Sequence, residues 1–471
     1  MSDSLDRQSL AQLGRLLRAR ELSPLELTEH VLNRIDQYDP DLDAFRVLRR
    51  EEALAEARRT EATLKRDTSA GGLVGIPYAV KDLFDVAGLP TTAGFSGLAD
   101  NVAEEDAAAV RRLRRAGMVL VGKTNTVQFA YGGAGVNSDH GTPRNPWKRE
   151  HHLPGGSSSG SAVAVSAGLV PMALGTDTGG SVRIPASLCG VTGLKTTVGR
   201  VSREGVYPLS SSLDSVGSLC RSVEDAALVY DAIHGPDPAD DSTRGQSRHD
   251  VLTGLGAGVD GMRIAVAESV FWDDADEEVA AAVREAAGVF QTLGASVESI
   301  EFPQAAEALA LNPKGLVIAA EAYAVNRHWV DEHYDELDPV VAPRLAGGRE
   351  VTAADYLGAV RAWAALRVEA EQTLSRWDAI LCPTTPIPAV PLAAVEEARS
   401  YSRTNLLYLR NTAVGNILGL CGLSVPCGLT RQGLPIGLMI YGRAFQEDRV
   451  LRIGHAFQQE TDFHQARPPL D

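Results

Sequence analysis

The chain has 471 residues, 44% of them hydrophobic and 23% charged, and a formal net charge of −16. This is the make-up of a folded globular protein with a sizeable core, and its acidity repels phosphate backbones, which argues against nucleic acid as a partner. The start, Met1-Ser2-Asp3-Ser4-Leu5-Asp6, lacks the basic and apolar regions of a secretory leader, and no run reaches the roughly 18–20 apolar residues of a spanning helix. A cytoplasmic protein with no membrane association is expected. Cys189, Cys220, Cys382, Cys421 and Cys427 are odd in number and form no C-x-x-C pair, so they read as buried free thiols.

In chain order, Ser23-Pro24-Leu25-Glu26 predicts a helix start: a serine cap, proline at the first helical position and a glutamate able to close the capping box. Leu27, Val31, Leu32 and Ile35 then share one helical face, so this helix packs on something larger. From residue 73 the texture changes to short apolar runs: Leu73 to Val80, Met118 to Val121, and Val170 to Leu174. A helical pattern, Asp106 to Ala116, lies between the first two. Strands alternating with helices predict an α/β protein with a central, buried, mixed or parallel sheet. Residues 235 to 261, rich in Pro, Asp, Gly and Ser, read as a long surface loop. Met262 to Val266, Asp276 to Leu293 and Ala295 to Phe302 make a βαβ pattern; 305 to 375 is mostly helical, and Ala379 to Pro383 and Leu423 to Pro426 return to the sheet. No internal repeat and no composition break divides the chain.

Three places could hold chemistry. A metal is not expected, because the ten histidines are dispersed and His328 and His333, five apart, miss the i, i+4 helix face of a metal pair. Gly156-Ser157-Ser158-Ser159-Gly160 matches the G-x-S-x-G nucleophile elbow, which would make Ser158 the attacking residue. That motif needs a strand directly before it, and Asn145 to Pro154 is polar and broken by proline. The third place, Gly175-Thr176-Asp177-Thr178-Gly179-Gly180-Ser181-Val182-Arg183, follows an apolar strand and precedes a helical pattern. There the backbone N–H groups of Thr178, Gly179, Gly180 and Ser181 could converge on one anion, as an oxyanion hole requires. A nucleophile needs a base, and no histidine is well placed. Lys81, at the end of the apolar run Gly75 to Val80, could serve if burial lowers its pKa by roughly 3 units from about 10.4.

Taken together these segments resemble the amidase signature family over nearly the whole chain. Gly75-Ile76-Pro77 leading into Val80-Lys81-Asp82, the block Gly122-Lys123-Thr124-Asn125, Pro154-Gly155-Gly156-Ser157-Ser158, Gly175 to Pro185, and Gly433 to Leu438 occur in the family's order, and the spacing of Ser157 and Ser181 fits. The resemblance implies a twisted mixed β-sheet covered on both faces by α-helices, in one domain over 1–471. Within it are an N-terminal helical segment (1–70), a signature core (71–230) and a helical substrate-pocket region (305–375). It further implies Ser181 as acyl-forming nucleophile, Ser157 as a bridging serine on a cis peptide, and Lys81 as base. The N–H groups of Thr178, Gly179, Gly180 and Ser181 would form the oxyanion hole, with Ser158, Asp177 and Arg183 in support. One departure stands out. The family usually reads Gly-Gly-Ser-Ser-Gly-Gly, and Ser159 replaces a glycine, where a side chain would restrict positive φ.

By the same analogy Phe129, Tyr131, Asn137, Tyr323, Trp329 and Trp363 are candidate pocket residues, and Arg410 is placed to bind a substrate carboxylate or to make a surface ion pair. The expected activity is hydrolysis of a small amide, aryl amide, urea or carbamate, without cofactor or metal, by a chain whose candidate assembly is a homodimer. The alternative is the glutaminase subunit of a tRNA-dependent amidotransferase, against which Glu204-Gly205-Val206-Tyr207-Pro208-Leu209 speaks, because it does not resemble that subunit's version of the segment. A binding protein on a decayed amidase fold is the third reading, and intact Lys81, Ser157 and Ser181 count against it.

Overall fold

The computed structural model describes residues 2–66 and 71–470; Met1, Asp471 and the last four residues of the expected 1–70 segment lie outside it. Eleven strands form one mixed sheet: β1 (Phe45–Leu48), β2 (Pro77–Lys81), β3 (Val119–Thr124), β4 (Met172–Asp177), β5 (Thr192–Lys195), β6 (Ser215–Cys220), β7 (Arg263–Ala267), β8 (Ser296–Ile300), β9 (Ala379–Pro383), β10 (Cys421–Leu429) and β11 (Pro435–Gly442). Their order is β1-β3-β2-β4-β6-β5-β10-β11-β9-β7-β8. β3, β2 and β4 run parallel, as do β8, β7 and β9, and the strands between them are antiparallel. The fold is α/β, as the sequence pattern predicts.

Helices cover both faces, and the alternation along the strands shows it. Tyr78 and Val80 of β2, Leu120 of β3 and Leu174 of β4 enter one core, which holds the helix Val223–Ile233 and the C-terminal helix Glu447–Glu460. Ala79, Val119, Val121 and Ala173 enter the other, against the helices Pro24–Leu42 and Ser159–Ser166. A strand buried on both faces reads as a continuous apolar run, which is why β2, β3 and β4 lack a polar alternation.

Local signals hold where the chemistry is local. Ser23 and Glu26 close the expected capping box at the helix Pro24–Leu42, and Leu27, Val31, Leu32 and Ile35 are its buried face. The βαβ unit forms as expected, β7 and β8 parallel around the helix Glu277–Thr292. Boundaries move by a few residues, two of them beside the motifs. Leu73 to Gly75 form a turn, with Gly75 at φ +83°, and the strand begins at Pro77. β4 extends to Asp177, because Gly175, Thr176 and Asp177 continue the ladder against Gly217, Val216 and Ser215. The 235–261 loop is pinned rather than loose, with Val251, Leu255 and Val259 sunk into the larger core. All five cysteines are buried free thiols, and no described helix is long and apolar enough to cross a membrane.

Candidate active site

The site forms where the C-terminal ends of β2 and β4 meet two glycine-rich turns. Lys81, the last residue of β2, is fully buried. Its Nζ lies 2.6 Å from Ser157 Oγ and 2.9 Å from Thr176 Oγ1. Burial pulls its pKa down to about 7, against the attraction of Asp214 and Asp177, so near neutral pH a substantial share of this lysine is an uncharged amine.

Ser157 follows a cis Gly156–Ser157 peptide. Its carbonyl accepts hydrogen bonds from Thr126 Oγ1 (2.9 Å) and the Val127 N–H (3.3 Å), and its side chain is fully buried. The next residue ties the two turns together, the Ser158 N–H donating to the Ser181 carbonyl at 3.1 Å. The helix Ser159–Ser166 starts immediately, and Gly160 has to be glycine, since a Cβ there would sit 2.3 Å from the Ala44 carbonyl oxygen. Ser159 itself is helical and not at positive φ, so the strain expected of a side chain in that place does not arise.

Ser181 stands between β4 and the helix Arg183–Cys189 and is 4% exposed. Asp177, at the end of β4, organises the turn. Its carboxylate accepts from Arg183 Nε (3.0 Å) and Nη2 (2.9 Å), from Asn416 Nδ2 (2.9 Å), and from the N–H groups of Gly180 (2.9 Å) and Val182 (3.1 Å). Burial alone would protonate this carboxyl; the Arg183 guanidinium, Lys195 and the Asn416 amide outweigh that and hold it well below the usual carboxylate range. Arg183 is completed by Asn416 Oδ1 (2.6 Å) and Tyr441 Oη (2.9 Å). One expectation changes here. The Gly180 N–H is spent on Asp177, so Gly180 is removed from the four anticipated oxyanion donors. Its glycine identity serves packing instead, at φ +137° and with a Cβ position 2.1 Å from Thr412 Oγ1.

Several partners have no signal in the local sequence. Thr176 holds Lys81. Asp214 accepts from Thr178 Oγ1 (2.5 Å) and from the Leu209 and Ser210 N–H groups (2.9 Å each). Asn416, on the helix Ala398–Ile417, and Tyr441, on β11, reach the site from the C-terminal part of the chain. Only the alternation Thr176, Thr178 around Asp177 hints that polar side chains line this strand end.

The anticipated pocket aromatics divide. Tyr131 and Arg410 line one cavity of about 530 Å³, whose wall also includes Gly179 of the serine turn. Phe129 does not: it is fully buried, edge-on to Phe95 (5.4 Å) and stacked on Tyr207 (5.9 Å). Trp363 is core, Trp329 packs on Phe95, Tyr323 Oη donates to Asp331, and the Asn137 amide ties the Gly94 and Thr126 carbonyls. Arg410 is half-buried and, among the described residues, makes no ion pair. The histidines also depart from expectation. The helix Leu316–Glu332 ends at Glu332, His333 turns out of it at φ −133°, and His328, Glu332 and His333 bring their donor atoms within 4.8 Å of one another. This exposed group is remote from the serine turns in sequence, and His328 and His333 are paired with Glu332 (3.2 Å) and Glu336 (2.7 Å).

An α/β sheet whose strand ends deliver a buried amine, two serines and a carboxylate-braced turn defines a class of hydrolytic scaffold. The family model of that class, Amidase, matches residues 26–451. The chain is 37% identical over 450 residues to a 2-amino-5-chloromuconic acid deaminase of Comamonas testosteroni, covering 94% of each. It is 39% identical over 488 residues to one of the subunits of the glutamyl-tRNA(Gln) amidotransferase of Roseiflexus castenholzii, covering 98% of this chain and 97% of that one. Among solved structures it resembles a component of a vestigial protein complex bearing on the origins of an s-triazine catabolic enzyme (TM-score 0.90, 34% identity, 98% and 100% covered). It also resembles the peptide amidase PAM bound to chymostatin (TM-score 0.85, 31% identity, 98% and 99% covered). The chain therefore belongs to the amidase signature family, enzymes acting on carbon–nitrogen bonds.

Proposed function

We propose that this protein hydrolyses the C–N bond of a small amide, or a related aryl amide, urea or carbamate, through an acyl-enzyme on Ser181. The observation that carries the reading is the 2.6 Å contact between Ser157 Oγ and the buried Lys81 amine, held at a pKa of about 7. Neutral Lys81 takes the proton of Ser157 as Ser157 takes that of Ser181, and Ser181 Oγ attacks the carbonyl carbon. The N–H groups of Thr178, Gly179 and Ser181 would receive the oxyanion, an interaction worth about 3 kcal/mol per donor in comparable sites. As the C–N bond breaks, Ser157 returns a proton to the departing nitrogen and takes one back from Lys81. Water then adds to the ester by the same path, releasing the acid and restoring Ser181. Ser158, Asp177 and Arg183 position the two turns and touch no reacting atom.

The amidotransferase relatives favour a second reading, a glutaminase subunit that works only with partner chains. The purified chain decides both questions. A small neutral fluorophosphonate is expected to add one phosphonyl group to Ser181, located by peptide mass mapping, and Ser181→Ala to abolish the adduct; labelling elsewhere overturns the assignment. Turnover of simple amides by the chain alone supports the first reading, and glutamine turnover only with added partner chains supports the second.

A further inference from the structure

We propose that the cavity beside the serine turn selects an amide that carries a carboxylate and no ammonium group, with Arg410 as the carboxylate's partner. This deepens the amidase reading and rests on it. In a chain of net charge −16, the cavity wall carries four cations, Lys314, Arg344, Arg403 and Arg410, against one carboxylate, Asp274. Among the described residues none of the four cations has an ion-pair partner. They come from three separate elements: the turn before the helix Leu316–Glu332, the helix Ala342–Ala346, and the helix Ala398–Ile417, on which Arg403 and Arg410 are two turns apart on one face. A local charge run would be a solvated surface; cations gathered from distant parts of an acidic chain onto one concave wall create a positive field where an anion would enter.

The four are not equivalent. Arg344 is already used, its guanidinium 4.1 Å over the Tyr131 ring and bonded to the Tyr131 carbonyl. Lys314 and Arg403 are exposed and set the field at the mouth. Arg410 is half-buried and fixed in plane by Asn411 Oδ1 (3.1 Å at Nε) and the Phe271 carbonyl (3.4 Å at Nη2), which leaves N–H groups of its fork uncommitted. Asp273 and Asp274 act on it only from beyond ion-pair distance; a partly desolvated guanidinium with no carboxylate in contact is costly to maintain, and its planar fork matches a carboxylate bidentately. The same helix carries Thr412, whose hydroxyl donates to the Gly179 carbonyl at 2.6 Å. The cation and the serine turn are thereby held at a set separation, spanned by aliphatic wall from Ile318, Leu409 and Ala413. The ligand is thus a short aliphatic monoamide acid: amide toward Gly179, carboxylate toward Arg410. Two exposed aspartates, Asp273 and Asp274, against four cations leave the site net positive, which makes an added ammonium unfavourable.

Two measurements on the intact chain test this. First, dicarboxylates from malonate to adipate compete with fluorophosphonate labelling of Ser181, beside the matching diamides. At least one diacid should slow labelling roughly 10-fold or more at concentrations where its diamide does nothing. Equal or absent protection across the series overturns the proposal. Second, monoamide acids of the same lengths are compared with their methyl esters, with glutamine as the ammonium-bearing member. The acid should be preferred in kcat/KM by roughly 10–100-fold, the range of a charge-assisted pair. Acid–ester parity overturns the carboxylate assignment, and glutamine above glutaramate overturns the exclusion of ammonium. Arg410→Leu should bring the acid-to-ester ratio toward one, with Arg410→Lys between; a ratio unmoved by either moves the carboxylate off Arg410. Should Ser181 not label and no amide turn over, it is the serine mechanism that fails, and diacid competition against any other labelled residue shows nothing in favour of this cavity.

Discussion

The serine turns and the cavity wall touch at Gly179 yet are built on opposite terms. At the turns, Lys81, Ser157, Asp177 and Arg183 are wholly buried, and Asp177 and Arg183 are saturated with hydrogen bonds. On the wall, Lys314, Arg403 and Arg410 are exposed or half-exposed and lack ionic partners among the described residues. Burial is what turns a lysine into a base near neutral pH, and burial is tolerable only when every neighbouring charge is matched. A wall that reads substrates needs the reverse: polar groups left unmatched until a ligand arrives. On the proposed reading the chemistry of this fold is therefore expensive to alter, while its selectivity would sit in side chains that can change without disturbing the turns.

The strongest way to break that contrast is Lys81→Met. Activity is expected to fall by roughly 10²–10⁴-fold, the contribution of a positioned proton-transfer group. In the wild type, kcat/KM should rise with pH through about 7 as Lys81 loses its proton. Stability follows the same group. In the unfolded chain the amine stays protonated up to about 10.4, in the folded one only up to about 7, so between these values unfolding takes up a proton. Stability therefore rises with pH across that window. Urea unfolding at pH 7, 8 and 9 should show a wild-type slope steeper than that of the variant by up to about 1.4 kcal/mol per pH unit. Parallel slopes would mean that folded Lys81 is charged.

Next in size is Asp177→Asn. It removes the carboxylate from Arg183 and presents an amide N–H₂ to the donors that surround it, so unfolding free energy should drop by about 3–5 kcal/mol, the cost of stranding a buried charge. Arg410→Leu, by the same urea titration, should change stability by about 1 kcal/mol or less, as befits a cation with no ionic partner. Comparable losses in the two variants would erase the distinction between braced turns and replaceable wall.

What is legible in the sequence follows the range of each interaction. The capping box of Ser23 and Glu26, the βαβ unit, and Lys81 at a strand end all rest on neighbours within a few residues. The serine turns are legible because a family resemblance orders them. Phe129 escapes a sequence reading because its position depends on Phe95 and Tyr207, which local sequence does not bring to it. Asn416 and Tyr441 escape it because their partners, Asp177 and Arg183, lie 233 to 258 residues away along the chain. His328 and His333 are set apart by a helical spacing that stops applying where the helix ends at Glu332.

Ser159 gives the smallest and sharpest test. It is fully buried beside Ser157, and its Oγ has no hydrogen-bond partner among the described residues. Because its backbone is helical, restoring the family's usual glycine removes no strain: Ser159→Gly gains from the lost hydroxyl and loses about as much in helix propensity, for a net change within about 1 kcal/mol. Ser159→Ala removes the same hydroxyl and keeps a good helix former, so it should stabilise by roughly 1 kcal/mol in urea and leave kcat/KM within about 2-fold. A rise in stability with activity retained makes the hydroxyl an idle, mildly costly group in otherwise saturated surroundings. A loss of 10-fold or more in kcat/KM, with stability unchanged, would instead mean that this oxygen finds its partner only when substrate is bound, and that the serine turns, like the wall, keep one polar group in reserve for the ligand.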